Sequence, residues 1–152
     1  MAFPSTAVLD NFTGTNGDDL PTYSANWSAM INATNLEIQS NAATGTSGAG
    51  NNANYWNVSN FGPDCEAYCL VTTKPADNDV ILLLARLVNE TDLATADGYA
   101  CRLLSLAGTD TIEIVRIDNG AVTTVGSAES QEITNGDSFG FTVIGDSFQI
   151  YY

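Results

Sequence analysis

The pair Asn119-Gly120 sits between two runs of alternating character, Thr111–Ile117 and Ala121–Val125. A two-residue turn between antiparallel strands needs positive φ at both central positions. Asn-Gly adopts that geometry at little steric cost, so the stretch predicts a hairpin. A second hairpin follows, with Ser138–Ile144 turning at Gly145-Asp146 into Ser147–Tyr152. Phe139, Phe141 and Val143 share one face of its first arm, and Phe148, Ile150 and Tyr152 share one face of its second. Side chains alternate across a strand, so each set predicts a strand with one buried face.

The same period runs through the first half. Ala7–Phe12 reads as a short edge strand, and Leu36–Gln39 and Asn54–Val58 alternate with period two. Between Asp64 and Thr73, Cys65, Ala67, Cys69 and Val71 fall on one side. Val80–Ala85 is apolar on both faces, as a central strand covered on both sides would be. Asn41–Asn52, rich in small polar residues, reads as a flexible connection with a recognition loop as the functional alternative. No segment carries a helical stripe over three turns. The expectation is an all-β chain: a two-sheet antiparallel β-sandwich of the jelly-roll kind, with about ten strands and little helix, forming one domain over residues 1–152.

Charge narrows the partners. Four basic residues stand against 18 acids, a net charge of −14. Nucleic-acid affinity draws mainly on Lys and Arg neutralising phosphates, so nucleic acid is excluded as a partner. No apolar run approaches the length of a membrane-spanning helix, so membrane insertion is not expected. The opening Met1–Thr6 has no basic n-region and no apolar core, so no signal peptide is expected. Cys65 and Cys69 lie about 13 Å apart along one strand and cannot bridge there. All three cysteines read as small buried hydrophobes, with a Cys101 disulfide to one of the others as the alternative.

Catalysis finds little support. The chain has no histidine, which removes Ser-His-Asp and Cys-His arrangements and His-ligated metals. Glycoside hydrolysis needs a pair of carboxylates across a cleft. Glu113 has Val115 and Ile117 as same-face neighbours, and Glu129 and Glu132 face opposite ways. The expectation is a non-enzyme. Exposed aromatic residues suit sugar stacking, and Trp27, Tyr55, Trp56 and Tyr99 are the candidate ligand-binding residues. Ca2+ is the candidate cofactor, at Asp77, Asn78 and Asp79, with Asp18 and Asp19, and Asp92 and Asp97, as further acidic pairs.

Several segments together resemble the concanavalin A-like lectin/glucanase superfamily, in its laminin-G-like, non-catalytic branch. They are Leu9–Phe12, Ala25–Trp27, Asn54–Trp56, Leu83–Arg86, Asp97–Tyr99 with Arg102-Leu103, Val115–Gly120, Gly136–Phe139 and Gly145–Tyr151. The acid motif of the catalytic members is missing. Modules of this kind occur in bacteriophage virion proteins and in bacterial surface or secreted proteins. The resemblance implies a virion structural or binding module, such as a capsid decoration or fibre subunit assembled in the host cytoplasm. Its partners would be other virion subunits or itself, with host glycans as further ligands. The alternative is a carbohydrate-binding or adhesion module of an exported surface protein. Such domains usually continue past the strand corresponding to Phe148–Tyr152. Either the polypeptide continues into a closing strand or a neighbouring subunit covers the edge, and a homo-oligomer or lattice contact through Phe148, Ile150 and Tyr152 is the expectation.

Overall fold

The computed structural model describes residues 3–46 and 50–152. Among them lie eleven strands in four small antiparallel sheets and one short helix. The chain divides into two compact units. One comprises Ala7–Asn60 with Val88–Ala96, and the other comprises the segment ending at Thr6 with Phe61–Leu87 and Asp97–Tyr152.

The first unit holds α1 (Leu20–Tyr23), β1 (Trp27–Ala29), β2 (Glu37–Ile38), β3 (Ala43–Thr44) and β4 (Asn54–Trp56). β1 pairs with β4 and β2 with β3. Its buried apolar side chains are few: Leu20, Met30, Ile38 and Ala96. Polar side chains supply the cohesion instead. The Asn54 amide donates to Ser28 O and Asn35 Oδ1 and accepts the Leu36 N–H. Asp19 caps α1 by accepting from Thr22 N, and its other oxygen accepts from Asn35.

Ala7–Phe12 is not the edge strand its pattern predicts. The Asp10 carboxylate accepts the Phe12 N–H at 2.8 Å, Asn11 accepts the Thr13 N–H, and Phe12 sits at φ 54°. Short carboxyl and amide side chains thus capture backbone donors that a strand would have spent on a neighbour. The Asn41–Asn52 connection is also partly regular. Ser40 and Asn41 both take positive φ, 54° and 58°, and turn β2 directly into β3. Asn52 then latches the return by accepting from Thr46 N and Oγ1. Residues 47–49 of that connection lie outside the described residues.

The second unit contains β5 (Cys65–Leu70), β6 (Val80–Val88), β7 (Asp97–Leu104), β8 (Thr111–Asp118), β9 (Ala121–Ser130), β10 (Ser138–Ile144) and β11 (Ser147–Tyr151). One sheet runs β11-β10-β5 and the other β6-β7-β8-β9. Both expected hairpins form, Asn119 and Gly120 carrying φ 50° and 74°, and Gly145 carrying φ 55°. The two sheets contribute to one apolar cluster. Cys65, Ala67, Cys69, Phe139, Phe141, Val143, Phe148 and Ile150 come from one sheet, and Ile81, Leu83, Ala85, Cys101, Leu103, Ile112 and Ile114 from the other. Burial of these groups is the main driving force for the unit.

Val80–Ala85 forms a strand, but not a central one. β6 ends its sheet's order, and Val80 and Leu82 remain 48% and 37% exposed. An all-apolar run tolerates cover on both faces without requiring it. The three cysteines are free. Burial pushes the Cys69 thiol up to about 12, and burial with the neighbouring Cys69 pushes Cys101 up to about 12.

Polar pins complete the unit. The fully buried Asp110 accepts from Leu106 N and Ile133 N and pairs with Lys74 Nζ at 3.0 Å. Arg86, at φ 53°, reaches Pro63 O and Gly145 O with its guanidinium. The Glu66 carboxylate accepts from the backbone and hydroxyls of Ser5 and Thr6, while Phe3 stacks on Tyr151 at 4.1 Å.

Candidate functional site

The pairing of β1 with β4 sets Trp27 opposite Trp56, ring centroids 5.3 Å apart and edge to face at 82°. Phe12 also packs on Trp27, tilted, at 5.8 Å. Asp10 anchors this cluster. One of its oxygens accepts from Trp27 Nε1 at 2.8 Å, and the other accepts from Tyr23 Oη at 2.9 Å and Phe12 N at 2.8 Å. Desolvation works to raise the Asp10 carboxyl, but the hydrogen bonds from Trp27, Phe12 and Tyr23 outweigh it and hold it below its ordinary value.

Beside the cluster opens a concavity of about 580 Å³ lined by Trp56, Tyr23, Asp10, Asn11, Ser24 and Asn26, with Val8 and Leu9 at its apolar rim. It is open to solvent rather than enclosed. Its lining offers an indole, amides and hydroxyls, the groups that suit stacking on the C–H face of a sugar and hydrogen bonding to its hydroxyls. Asp10 already spends both oxygens on Trp27, Tyr23 and Phe12, so it positions the aromatic groups rather than acting as a free base.

The four aromatic residues expected as a ligand site are not all brought together. Trp56 lines the concavity and Trp27 supports it. Tyr55 pairs with Ser28 and, by strand alternation, takes the opposite face of the ribbon from Trp56. Tyr99 belongs to the second unit, where its ring packs on Phe148 at 4.8 Å. Asp10, Asn11, Tyr23 and Asn26 were missed. The signal available was Asp10-Asn11 followed by an aromatic residue, an Asx-turn pattern rather than a strand.

The Asp77-Asn78-Asp79 segment is an exposed turn into β6. Asn78, at φ 70°, donates its N–H to Ser105 O, and Asp79 O accepts from Ser105 N. Among the described residues, no three or more His, Cys, Asp or Glu side chains gather to hold a metal ion. Asp92 accepts from Asn32 and Ala94 N, and Asp97 accepts from Asn119 N.

Phe148, Ile150 and Tyr152 line a second concavity of about 570 Å³, which also takes in Val125, Ser127 and Glu129 of β9. Phe148 and Ile150 pack on the apolar cluster, whereas Tyr152 is 58% exposed. Comparison with family models, with curated proteins and with solved structures gives no match.

Proposed function

We propose that this chain is a non-catalytic binding module that grips a glycan in the concavity beside Trp56. The carrying observation is the Asp10 anchor, which fixes Tyr23 and Trp27 and thereby sets Trp56 at the cleft wall. Preorganisation of this kind lowers the ordering cost of binding. The finer fold we infer for the second unit is a sandwich of the jelly-roll type, because two antiparallel sheets feed one apolar cluster.

The setting we propose is a virion, where the module serves as a decoration or fibre subunit. The sequence resemblance supports that setting, as does β11, a sheet edge next to a half-exposed Tyr152 that offers a protein contact. Mass spectrometry of purified particles from producing cells tests it: presence of the chain in the particle fraction is expected. Absence there with recovery in the culture supernatant favours the exported adhesion module instead.

A glycan array probed with the wild-type chain and with Trp56→Ala tests the ligand. The wild type is expected to bind a defined set of glycans, and Trp56→Ala to lose at least tenfold in affinity with its β-rich spectrum intact. Equal binding by both proteins sinks the assignment of the cleft.

A further inference from the structure

We propose that β9 pairs with β9 of a second copy of this chain, antiparallel about a two-fold axis, joining two four-stranded sheets edge to edge. It rests on the reading above in taking the chain as a subunit of an assembly, and adds a contact at β9 to the one at β11, with a second copy as the partner.

β9 is the last strand of its sheet, with β8 as its neighbour, and all ten of its residues are exposed. A strand paired on one side turns alternate N–H and C=O groups outward, and those groups are a template for another strand. The Asp118–Ala121 pair closes a two-residue hairpin. Backbone groups of Ala121, Thr123 and Val125 therefore face β8, and those of Val122 and Thr124 face away.

Sheet edges are ordinarily guarded by Lys, Pro, charge or short length. Ala121–Ala128 contains no Lys, no Pro and no charge, in a chain of net charge −14. The guard it has is local: Gly126, at φ 77°, coincides with the register shift between Ile112 and Ile114, which bends the strand's second half. The flat run open to pairing is thus Ala121–Val125.

The composition of that run selects its partner. An edge built for a basic segment would present carboxylates, and here the first is Glu129, beyond the bend. A neutral, β-branched strand matches it best, and its own copy is one. With the axis through Thr123, Val122 lies opposite Thr124, so the outward backbone groups of each meet those of the other. Ala121 falls opposite Val125 and Thr123 opposite itself, while Asp118 stays one strand back, on β8. No carboxylate faces another, although both copies are acidic. Val125, 39% exposed, meets Ala121 across the axis, and Val122, 44% exposed, lies diagonal to its own copy.

Sedimentation velocity on the full chain tests the pairing. A short edge contact belongs to the weak, transient class, so the series runs to about 200 μM. The wild type is expected to associate reversibly. Thr123→Asp places two carboxylates face to face at the axis, and Thr123→Lys two ammonium groups. Each is expected to weaken association at least tenfold, with circular dichroism unchanged because Thr123 is exposed. An equimolar mixture of the two variants is expected to regain association, since opposite charges then meet. A monomeric wild type at the highest concentration overturns the proposal, as does Thr123→Asp associating like wild type, or a mixture that stays monomeric. If Thr123→Asp is silent while Tyr152→Asp dissociates the wild-type oligomer, the β9 pairing fails and the assembly reading through β11 stands.

Discussion

Asp10 gathers more of the candidate site than any other residue, with three donors converging on its two oxygens. Replacing it with Ala strands the Trp27 and Tyr23 donors in a half-buried setting, and hydrogen bonds to charged groups contribute about 1.5–3 kcal/mol. Asp10→Ala is therefore expected to lower the urea midpoint and to blue- or red-shift tryptophan emission. An unchanged midpoint contradicts the anchoring role. The pH dependence has a definite sign. The folded carboxyl titrates below its ordinary value of 3.8, so its stabilisation is complete above that value and disappears as pH falls through the lower, folded value. Thiols give a second residue-scale expectation. Burial raises Cys69 and Cys101 to about 12, so a thiol-specific reagent at pH 8 is expected to label them only after denaturant is added. Fast labelling of both in the native protein contradicts their placement. The cysteine face was legible from period-two spacing alone. Asp10 was not, because an Asp inside an apolar-polar stretch satisfies a strand pattern as readily as an Asx turn.

Turns divide the elements into those the sequence makes plain and those it hides. Asn119-Gly120 announced its hairpin, whereas Ser40-Asn41 makes the same positive-φ pair without glycine. The second turn was illegible because Ser rarely adopts that conformation and its flanking strands are two residues each. The β6 run misled for another reason, since apolar composition says nothing about how much cover a sheet edge receives. At the centre of β10, Gly140 allows β5 and the Phe3 ring to approach. A Cβ there would run into the Ala67 backbone oxygen and lie 2.7 Å from Phe3 Cζ. Gly140→Ala is expected to destabilise by more than the ~1–3 kcal/mol typical of overpacking, because backbone rather than a pliable side chain opposes it. A denaturation midpoint within error of wild type contradicts that packing. The buried Asp110 acts similarly on the loop before β8, holding Leu106 N and Ile133 N on one carboxylate.

Across the whole molecule, each of the two compact units coheres internally by its own physics. One has a continuous apolar cluster fed by two sheets, and the other has few buried apolar side chains and a lattice of Asn and Asp hydrogen bonds. Apolar burial of about 25 cal/mol per Å² favours the former, so native-state hydrogen exchange is expected to be slower in β7, β8 and β10 than in β1 to β4. Comparable protection in both contradicts that division. The β pattern of the first cluster was legible in alternation, and the polar lattice was not, since Asn-rich stretches read as loops. The proposed glycan site lies in the second kind of unit, as do the chain's two tryptophans, Trp27 and Trp56. Emission from a Trp27→Phe variant then comes from Trp56 alone. Titrating that variant with the glycans selected on the array measures the central claim at the cleft wall itself. A saturable change in Trp56 emission, matching the affinity found for wild type, is the expected result. Emission that stays flat while the same protein binds the glycan would place the ligand elsewhere and contradict the account.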